Sequence, residues 1–342
     1  MKEARRARIA ASPRFRGGRF RNPVPSRMMV GDGLIKELAR LLRGDIEREP
    51  KGLLPLIELH RTDFATPPAT GVRATWLGHS TVLVELDGAT LLLDPVWTER
   101  ASPFRHLGPK RFHPPPLPLA ELPKLDAVVI SHDHYDHLDR DTVPVLAATG
   151  VPIVTSLGVG ERLERWGVAA AQITELDWHE STTIAGVRIT ATPARHFSGR
   201  GVLDRNWSLW SSWVLAGPRH RVFFSGDTSL YDGLADIGRA HGPFDLDLMK
   251  IGAYSEAWPD VHMTPEEALR AHAMLGGPSM LAIHWGTFNL AFHAWNEPPE
   301  RLVRATREHD VQVIVPVPGQ QVEPTRPPEL RAWWRDVGPR RA

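Results

Sequence analysis

Short apolar runs rich in β-branched residues punctuate this chain, and several of them end on a polar residue with metal-binding chemistry. Residues 81–86 and 89–93 read as two strands joined by Asp87-Gly88, a dipeptide that tolerates the positive φ of a tight hairpin turn. Further runs at 127–130, 152–155, 187–192, 222–224 and 280–283 predict buried strands. Helical stretches lie before them at 34–42 and between them at 158–166 and from Thr264-Pro265-Glu266-Glu267 to about Leu275. In the last of these Thr264 is the N-cap, Pro265 lacks a donor that the first turn would orphan anyway, and Glu267 reaches back to complete a capping box. Gly276-Gly277 stops that helix. Glu297-Pro298-Pro299-Glu300 begins a final helix and residues 311–317 a final strand. The alternation predicts an α/β protein built in layers. No internal repeat of fixed period is visible.

The chemistry sits at the ends of these strands. The run 127–130 feeds directly into Ser131-His132-Asp133-His134-Tyr135-Asp136-His137, so His132, His134, Asp136 and His137 converge from one loop. Nitrogen and oxygen donors of this kind suit zinc, with iron or manganese as alternatives. The run 187–192 leads to His196, 222–224 leads through Gly226 to Asp227, and 280–283 leads to His284. A structural zinc is closed by four ligands, commonly cysteines, whereas this chain has no Cys and offers seven donors. Seven donors suit two ions: His132, His134 and His196 for one, Asp136, His137 and His284 for the other, and Asp227 between them. His79 and Asp94 are expected to order the site through hydrogen bonds to ligands.

Composition narrows the class. The 342 residues are 42% hydrophobic, ample for a buried core, and the net charge is only +1, so nothing argues globally for a nucleic-acid partner. The basic residues Lys2, Arg5, Arg6, Arg8, Arg14, Arg16, Arg19 and Arg21 stand against a single Glu3 at the start, with no apolar core after them. Residues 1–22 are therefore expected to be a disordered, solvated arm rather than a secretory signal, with contact to anionic lipid as the alternative. Residues 23–69 are expected to form an N-terminal extension, 70–322 the catalytic domain and 323–342 a C-terminal tail. In that tail, Trp333 and Trp334 beside Arg331 and Arg335 suit either an interfacial turn or a helix packed on the domain. No apolar run approaches the ~20 residues needed to span a bilayer, and the absence of cysteine fits a reducing compartment. The expectation is a cytoplasmic protein, with peripheral membrane contact as a second option. There is no Gly-x-Ser-x-Gly elbow and no Walker A loop.

The H-x-H-x-D-H loop with the later His, Gly-Asp and His at strand ends resembles the metallo-β-lactamase superfamily. That resemblance implies an αββα four-layer sandwich of two mixed β-sheets with the metals at one edge, and the family's ligands fall on the same seven positions. Trp76-Leu77-Gly78-His79, Asp94-Pro95, Gly108-Pro109-Lys110-Arg111-Phe112, residues 251–254, Thr264-Pro265-Glu266-Glu267 and residues 282–288 resemble one branch, the phospholipase D that hydrolyses N-acylphosphatidylethanolamine. The similarity runs from about Asn22-Pro23 to about Val317. It implies Asp136 and His262 as catalytic residues, and Arg200 and Tyr254 as substrate-binding residues. The loop between Tyr254 and His262 looks shorter than in the animal lipase, and Val261 stands where that enzyme has a polar residue.

The implied activity is a dinuclear zinc phosphodiesterase acting on a phospholipid. Two zinc ions, two aspartates and a shared hydroxide leave roughly one positive charge, which favours an anionic phosphodiester. His262 is the candidate acid for the leaving oxygen, and Arg200 the candidate to hold an anionic one. The alternatives are a lactonase resembling the ascorbate-6-phosphate lactonases and a non-catalytic metal-binding adaptor. Oligomeric state is not legible in the sequence.

Overall fold

Side chains alternate across each strand, and here both faces find a partner. In the strand Thr81–Leu86, Val82, Val84 and Leu86 join a core shared with Val214, Phe223 and Leu248 of other strands, while Leu83 joins a second cluster with Leu92, Val128 and Ile130. That second cluster continues into Val143, Leu146 and Leu163, on the helices Thr142–Ala147 and Gly160–Arg165. Burial on both faces explains why the predicted strands read as continuous apolar runs rather than as an alternation.

The computed structural model describes residues 2–44, 46–201, 203–308 and 311–338. The first sheet has the order Gln321–Val322, Val72–Gly78, Thr81–Leu86, Ala89–Leu93, Ala127–Ile130, Ile153–Ser156, Ile173–Leu176. The second has the order Gln312–Ile314, Ser279–Ile283, Leu246–Lys250, Arg221–Phe224, Ser212–Ala216, Val187–Thr192, Ser181–Ile184. Each is mixed, antiparallel in one part and parallel in the other. The helices Gly233–His241, Pro265–Leu275 and Glu297–Ala305 contribute Leu234, Ala268, Leu275 and Leu302 to the shared core. The result is the four-layer αββα sandwich.

The helix Pro265–Leu275 starts and stops as its sequence dictates: Thr264 and Glu267 form the reciprocal capping box, and Gly276 closes it at φ 76°. Other features differ from expectation. The basic start is not a solvated arm over its described residues: Lys2–Ala11 is a helix, and Arg5 is buried in ion pairs with Glu164, at 2.8 Å, and Glu175. The partners of that arginine lie some 160 residues away in sequence, so no local pattern announces them. Of the two readings of the C-terminal tryptophans, packing on the domain is the one seen, with Trp333 stacked on Trp285 at 5.2 Å and Trp334 buried; residues 339–342 lie outside the described residues. The strand Leu246–Lys250 escapes pattern reading because two charged residues interrupt it. Both are buried and partnered: Asp247 with the His272 ring at 2.6 Å, and Lys250 Nζ with the Gly252 carbonyl at 2.8 Å. No helix among the described residues is long and apolar enough to cross a membrane.

Candidate metal centre

The strand Ala127–Ile130 lies between Ala89–Leu93 and Ile153–Ser156, so the chain leaves the middle of a sheet when it enters the histidine-rich loop. Alternation then divides the loop. His132 and His134 turn to one side, while Asp133 faces away and accepts from the Gly199 N–H at 2.7 Å and from Arg162 Nε at 2.6 Å. The second sheet brings His196, Asp227 and His284 from the ends of Val187–Thr192, Arg221–Phe224 and Ser279–Ile283. Between Phe224 and Asp227 the chain passes so close to Ser131 that a Cβ at Gly226, where φ is 49°, would meet the Ser131 Cβ at 2.8 Å. His79, Asp94 and His284 also hold positive φ, at 51°, 39° and 61°. Such strain costs on the order of 1–3 kcal/mol per residue and collects where function requires a particular side-chain direction. The His284 N–H donates to the His79 carbonyl at 2.8 Å, joining the two sheets at the site.

The donor atoms fall into two main groups that meet at Asp227. His132, His134, His196 and Asp227 place one atom each within 4.8 Å of one another, and so do His79, Asp136, His137 and His284. His134 Nδ1 lies 2.8 Å from His132 Nε2 and 3.3 Å from His196 Nε2. In the second group Asp136 Oδ2 lies 3.4 Å from His137 Nε2 and 3.5 Å from His284 Nε2. Tetrahedral zinc with bonds of about 2.0–2.1 Å separates neighbouring donors by roughly 3.3 Å, so these spacings fit an ion in each group. Asp227 Oδ1 is 2.9 Å from His284 Nε2, while its Oδ2 is 3.2 Å from His137 Nε2 and 3.5 Å from His196 Nε2. One carboxylate thus addresses both groups. His137 Nε2, His284 Nε2 and Asp227 Oδ1 are buried without a hydrogen-bond partner, an arrangement that is costly unless a cation completes it.

The far sides of the His137 and His196 rings are held. Asp94, fully buried, accepts from His137 Nδ1 at 2.6 Å and from Ser131 Oγ at 2.6 Å. His196 Nδ1–H donates to the Val261 carbonyl at 3.1 Å, leaving Nε2 bare. His79 Nε2 lies 2.9 Å from Asp136 Oδ2, the hydrogen bond expected of it. Burial, reinforced by neighbouring histidines, lowers His132 well below its ordinary value, and burial likewise pushes His196 down to about 3. Burial opposes ionisation of Asp136 and Asp227, but the surrounding imidazoles outweigh it and hold both well below the usual carboxylate range. His137 goes the other way: the carboxylates of Asp227, Asp136 and Asp94 outweigh burial and raise it. Mostly neutral imidazoles with ionised carboxylates are the ligand form a divalent cation requires.

The remaining sequence-derived candidates separate. Tyr254 and His262 line one cavity of about 260 Å³ together with Glu37, His293, Glu297 and Arg301. His262 reaches the metal groups, with Nδ1 3.8 Å from Asp227 Oδ2 and no hydrogen-bond partner. The Tyr254 hydroxyl donates to Glu297 at 2.8 Å. Arg200 lies elsewhere, on a cleft of about 710 Å³ beside Tyr135. Its Nη1 donates to the carbonyls of Asp133, at 3.0 Å, and Leu138, at 2.6 Å, and its guanidinium covers the Tyr135 ring at 3.7 Å. That geometry holds the histidine loop in shape. Among the nearby tryptophans, Trp210 and Trp213 are core residues while Trp207 is exposed. Sequence reading missed Thr287, whose hydroxyl accepts from the His79 N–H at 2.6 Å, and the outward role of Asp133, which strict alternation within the loop would have revealed.

Relatives agree with the geometry. A family model described as a beta-lactamase superfamily domain matches residues 89–285. The chain is 47% identical over 336 residues to an uncharacterised protein of Mycobacterium tuberculosis, spanning 96% of this chain and 89% of that one. It is 39% identical over 262 residues to the N-acyl-phosphatidylethanolamine-hydrolyzing phospholipase D 1 of Caenorhabditis elegans, with 73% of each chain covered. A solved metallo hydrolase from the archaeon Ignicoccus hospitalis aligns with a TM-score of 0.56 at 25% identity, over 73% of this chain and 97% of its own. Fold, donor set and relatives define a metal-dependent hydrolase. The chain belongs to the metallo-β-lactamase superfamily and resembles its N-acylphosphatidylethanolamine-hydrolysing phospholipase D branch.

Proposed function

We propose that this chain is a dinuclear zinc phosphodiesterase of the phospholipase D type, cleaving N-acylphosphatidylethanolamine-like lipids to phosphatidic acid and an N-acylethanolamine. The observation that carries this reading is the pair of donor groups sharing Asp227, in a chain 39% identical to a phospholipase of that name. Two bound cations would lower the pKa of water and polarise a phosphoryl oxygen, which in-line attack on a phosphodiester requires. Asp227 and Asp136 bring negative charge to the two groups, and Asp94, buried behind His137, fixes the direction of that ring. Burial and the nearby Lys250 ammonium push His262 well below its ordinary pKa, so it presents a neutral ring N–H to the leaving oxygen rather than a stored proton. Tyr254 shares the cavity of His262, which supports a substrate-binding role for it. Arg200 keeps the loop in register, and any contact with a substrate oxygen is additional to that task. A lipid substrate fits a cytoplasmic protein in peripheral contact with a membrane.

The test is a substrate panel on zinc-loaded protein. Release of N-acylethanolamine, lost in Asp227→Ala and His134→Ala while circular dichroism stays native, is the expected result. Brisk opening of a lactone with no cleavage of any phosphodiester would replace this reading with a lactonase. Two bound metals without turnover on phosphodiesters, lactones or thioesters would leave a metal-binding adaptor.

A further inference from the structure

Residues 22–27 lie far outside the stretch that matches the superfamily domain, yet they touch the metal centre from behind. Asn22 Oδ1 accepts the backbone N–H of His196 at 2.9 Å. Next to it, Arg195 Nη2 donates to the Pro25 carbonyl at 2.8 Å and Nε to Ser26 Oγ at 2.9 Å. The carboxylate of Asp260, a nearly buried residue, gathers the same parts: its Oδ2 accepts from the Arg27 N–H at 2.6 Å and from Arg27 Nε at 3.2 Å, and stands 3.0 Å from Arg195 Nη2. Its backbone carbonyl accepts from Ser229 Oγ at 2.9 Å, two residues beyond Asp227. The Ser229 N–H in turn donates to the Arg195 carbonyl at 3.0 Å. Asp260 is therefore the meeting point of four segments: the strap 22–27, the His196 loop, the Asp227 loop and the turn to His262.

We infer that Asn22 and Asp260 are positioning residues through which the N-terminal strap completes the metal centre, fixing His196 in particular. Two attachments hold His196: its backbone N–H on Asn22 and its Nδ1–H on the Val261 carbonyl, the residue after Asp260. Neither attachment lies on the strand that delivers it, Val187–Thr192, which ends four residues earlier. Without the strap the His196 N–H loses its partner and the Arg195 guanidinium its contacts with Pro25 and Ser26, while the His196 ring keeps the Val261 carbonyl and the Arg195 backbone keeps Thr228 and Ser229. Groups that orient a ligand from behind typically change metal affinity by about 10–100-fold. The inference builds on the reading of His132, His134, His196 and Asp227 as one metal group, and does not require any particular substrate.

The experiment titrates metal-free full-length protein with zinc against a chelator, and with cobalt followed by visible absorption, in wild type, Asn22→Ala, Asn22→Asp, Asp260→Asn and Asp260→Ala. Expected is a loss of about 10–100-fold in affinity for one of the two ions in Asn22→Ala and Asp260→Ala, with the other ion's affinity kept. Asn22→Asp, which retains an acceptor oxygen, recovers most of it. The cobalt spectrum changes in the same two variants, while the melting temperature of the metal-free protein stays within a few degrees of wild type. Unchanged affinity for both ions in Asn22→Ala and Asp260→Ala overturns the inference. So does an equal loss at both ions with a fall in metal-free stability, which marks a general structural role. A loss at one ion in a protein that cleaves no phosphodiester would sink the proposed substrate and leave the strap's role standing.

Discussion

The two sheets supply the metal centre in opposite ways. The first contributes His132, His134, Asp136 and His137 from a single loop of consecutive residues, shaped by what Asp133, Arg200 and Asp94 do on its far side. The second contributes His196, Asp227 and His284 from three separate strand ends, and nothing local brings them together. Asp227 and His284 meet through parallel register, Phe224 opposite Leu248 and Leu248 opposite Leu281, and His196 is brought to the same edge through two antiparallel pairings, Ala191 opposite Trp213 and Trp213 opposite Phe224. A site half written in one loop and half assembled by a sheet is sensitive to different insults on its two sides.

Asp227→Ala breaks both halves at once, because the carboxylate faces His196 of one donor group and His137 and His284 of the other. Turnover should fall by at least roughly 10³-fold with loss of metal, read by elemental analysis alongside steady-state kinetics. If one ion stayed bound at wild-type affinity, the carboxylate would belong to a single group. Asp94→Asn acts on the loop half alone, by weakening the hold on His137. Metal affinity should drop about 10–100-fold, and an unchanged affinity would mean the loop holds its shape without that carboxylate.

Acid should unmake the site gradually. His79 and His196 are both held down to about 3, chiefly by burial, against an unfolded value near 6.5. Between those limits the unfolded chain binds more protons than the folded one, so the stability these rings allow is present above about 6.5 and is lost as the pH falls. His137 has the opposite sign: its raised folded value adds stability below its unfolded pKa, lost as pH climbs through the raised one, and this offsets part of the acid loss. The melting temperature of metal-free protein should fall by roughly 5 °C from pH 7 to pH 5. A flat profile would show these histidines to be solvated. Smallest of all is the effect of Thr264→Ala, which removes a helix cap whose side-chain hydrogen bond goes to Glu267 and not to a metal donor. It should cost about 1 kcal/mol, or roughly 2–4 °C in melting temperature, with metal content untouched.

Reading the sequence succeeded where physical chemistry is local. The capping box at Thr264 and the Asp87-Gly88 hairpin needed only near neighbours, and both stand in the structure as read. The strand Leu246–Lys250 was missed because Asp247 and Lys250 look wrong for a core until His272 and the Gly252 carbonyl are found beside them. The basic start was misjudged for a related reason. Arginines without local partners read as solvated, and the carboxylates that bury Arg5 come from distant segments.

From its amino acids alone the chain determined which side chains are fit to bind metal and on which runs they end, since donor chemistry and strand propensity belong to short stretches. Only the tertiary structure decided that Asp133 turns away from the metal donors, that Arg200 braces the loop, and that Asn22 reaches His196. Those relations depend on register, on a left-handed backbone at His79 and His284, and on contacts between segments remote in sequence. The energy that fixes them is shared among many residues and is carried by no single motif.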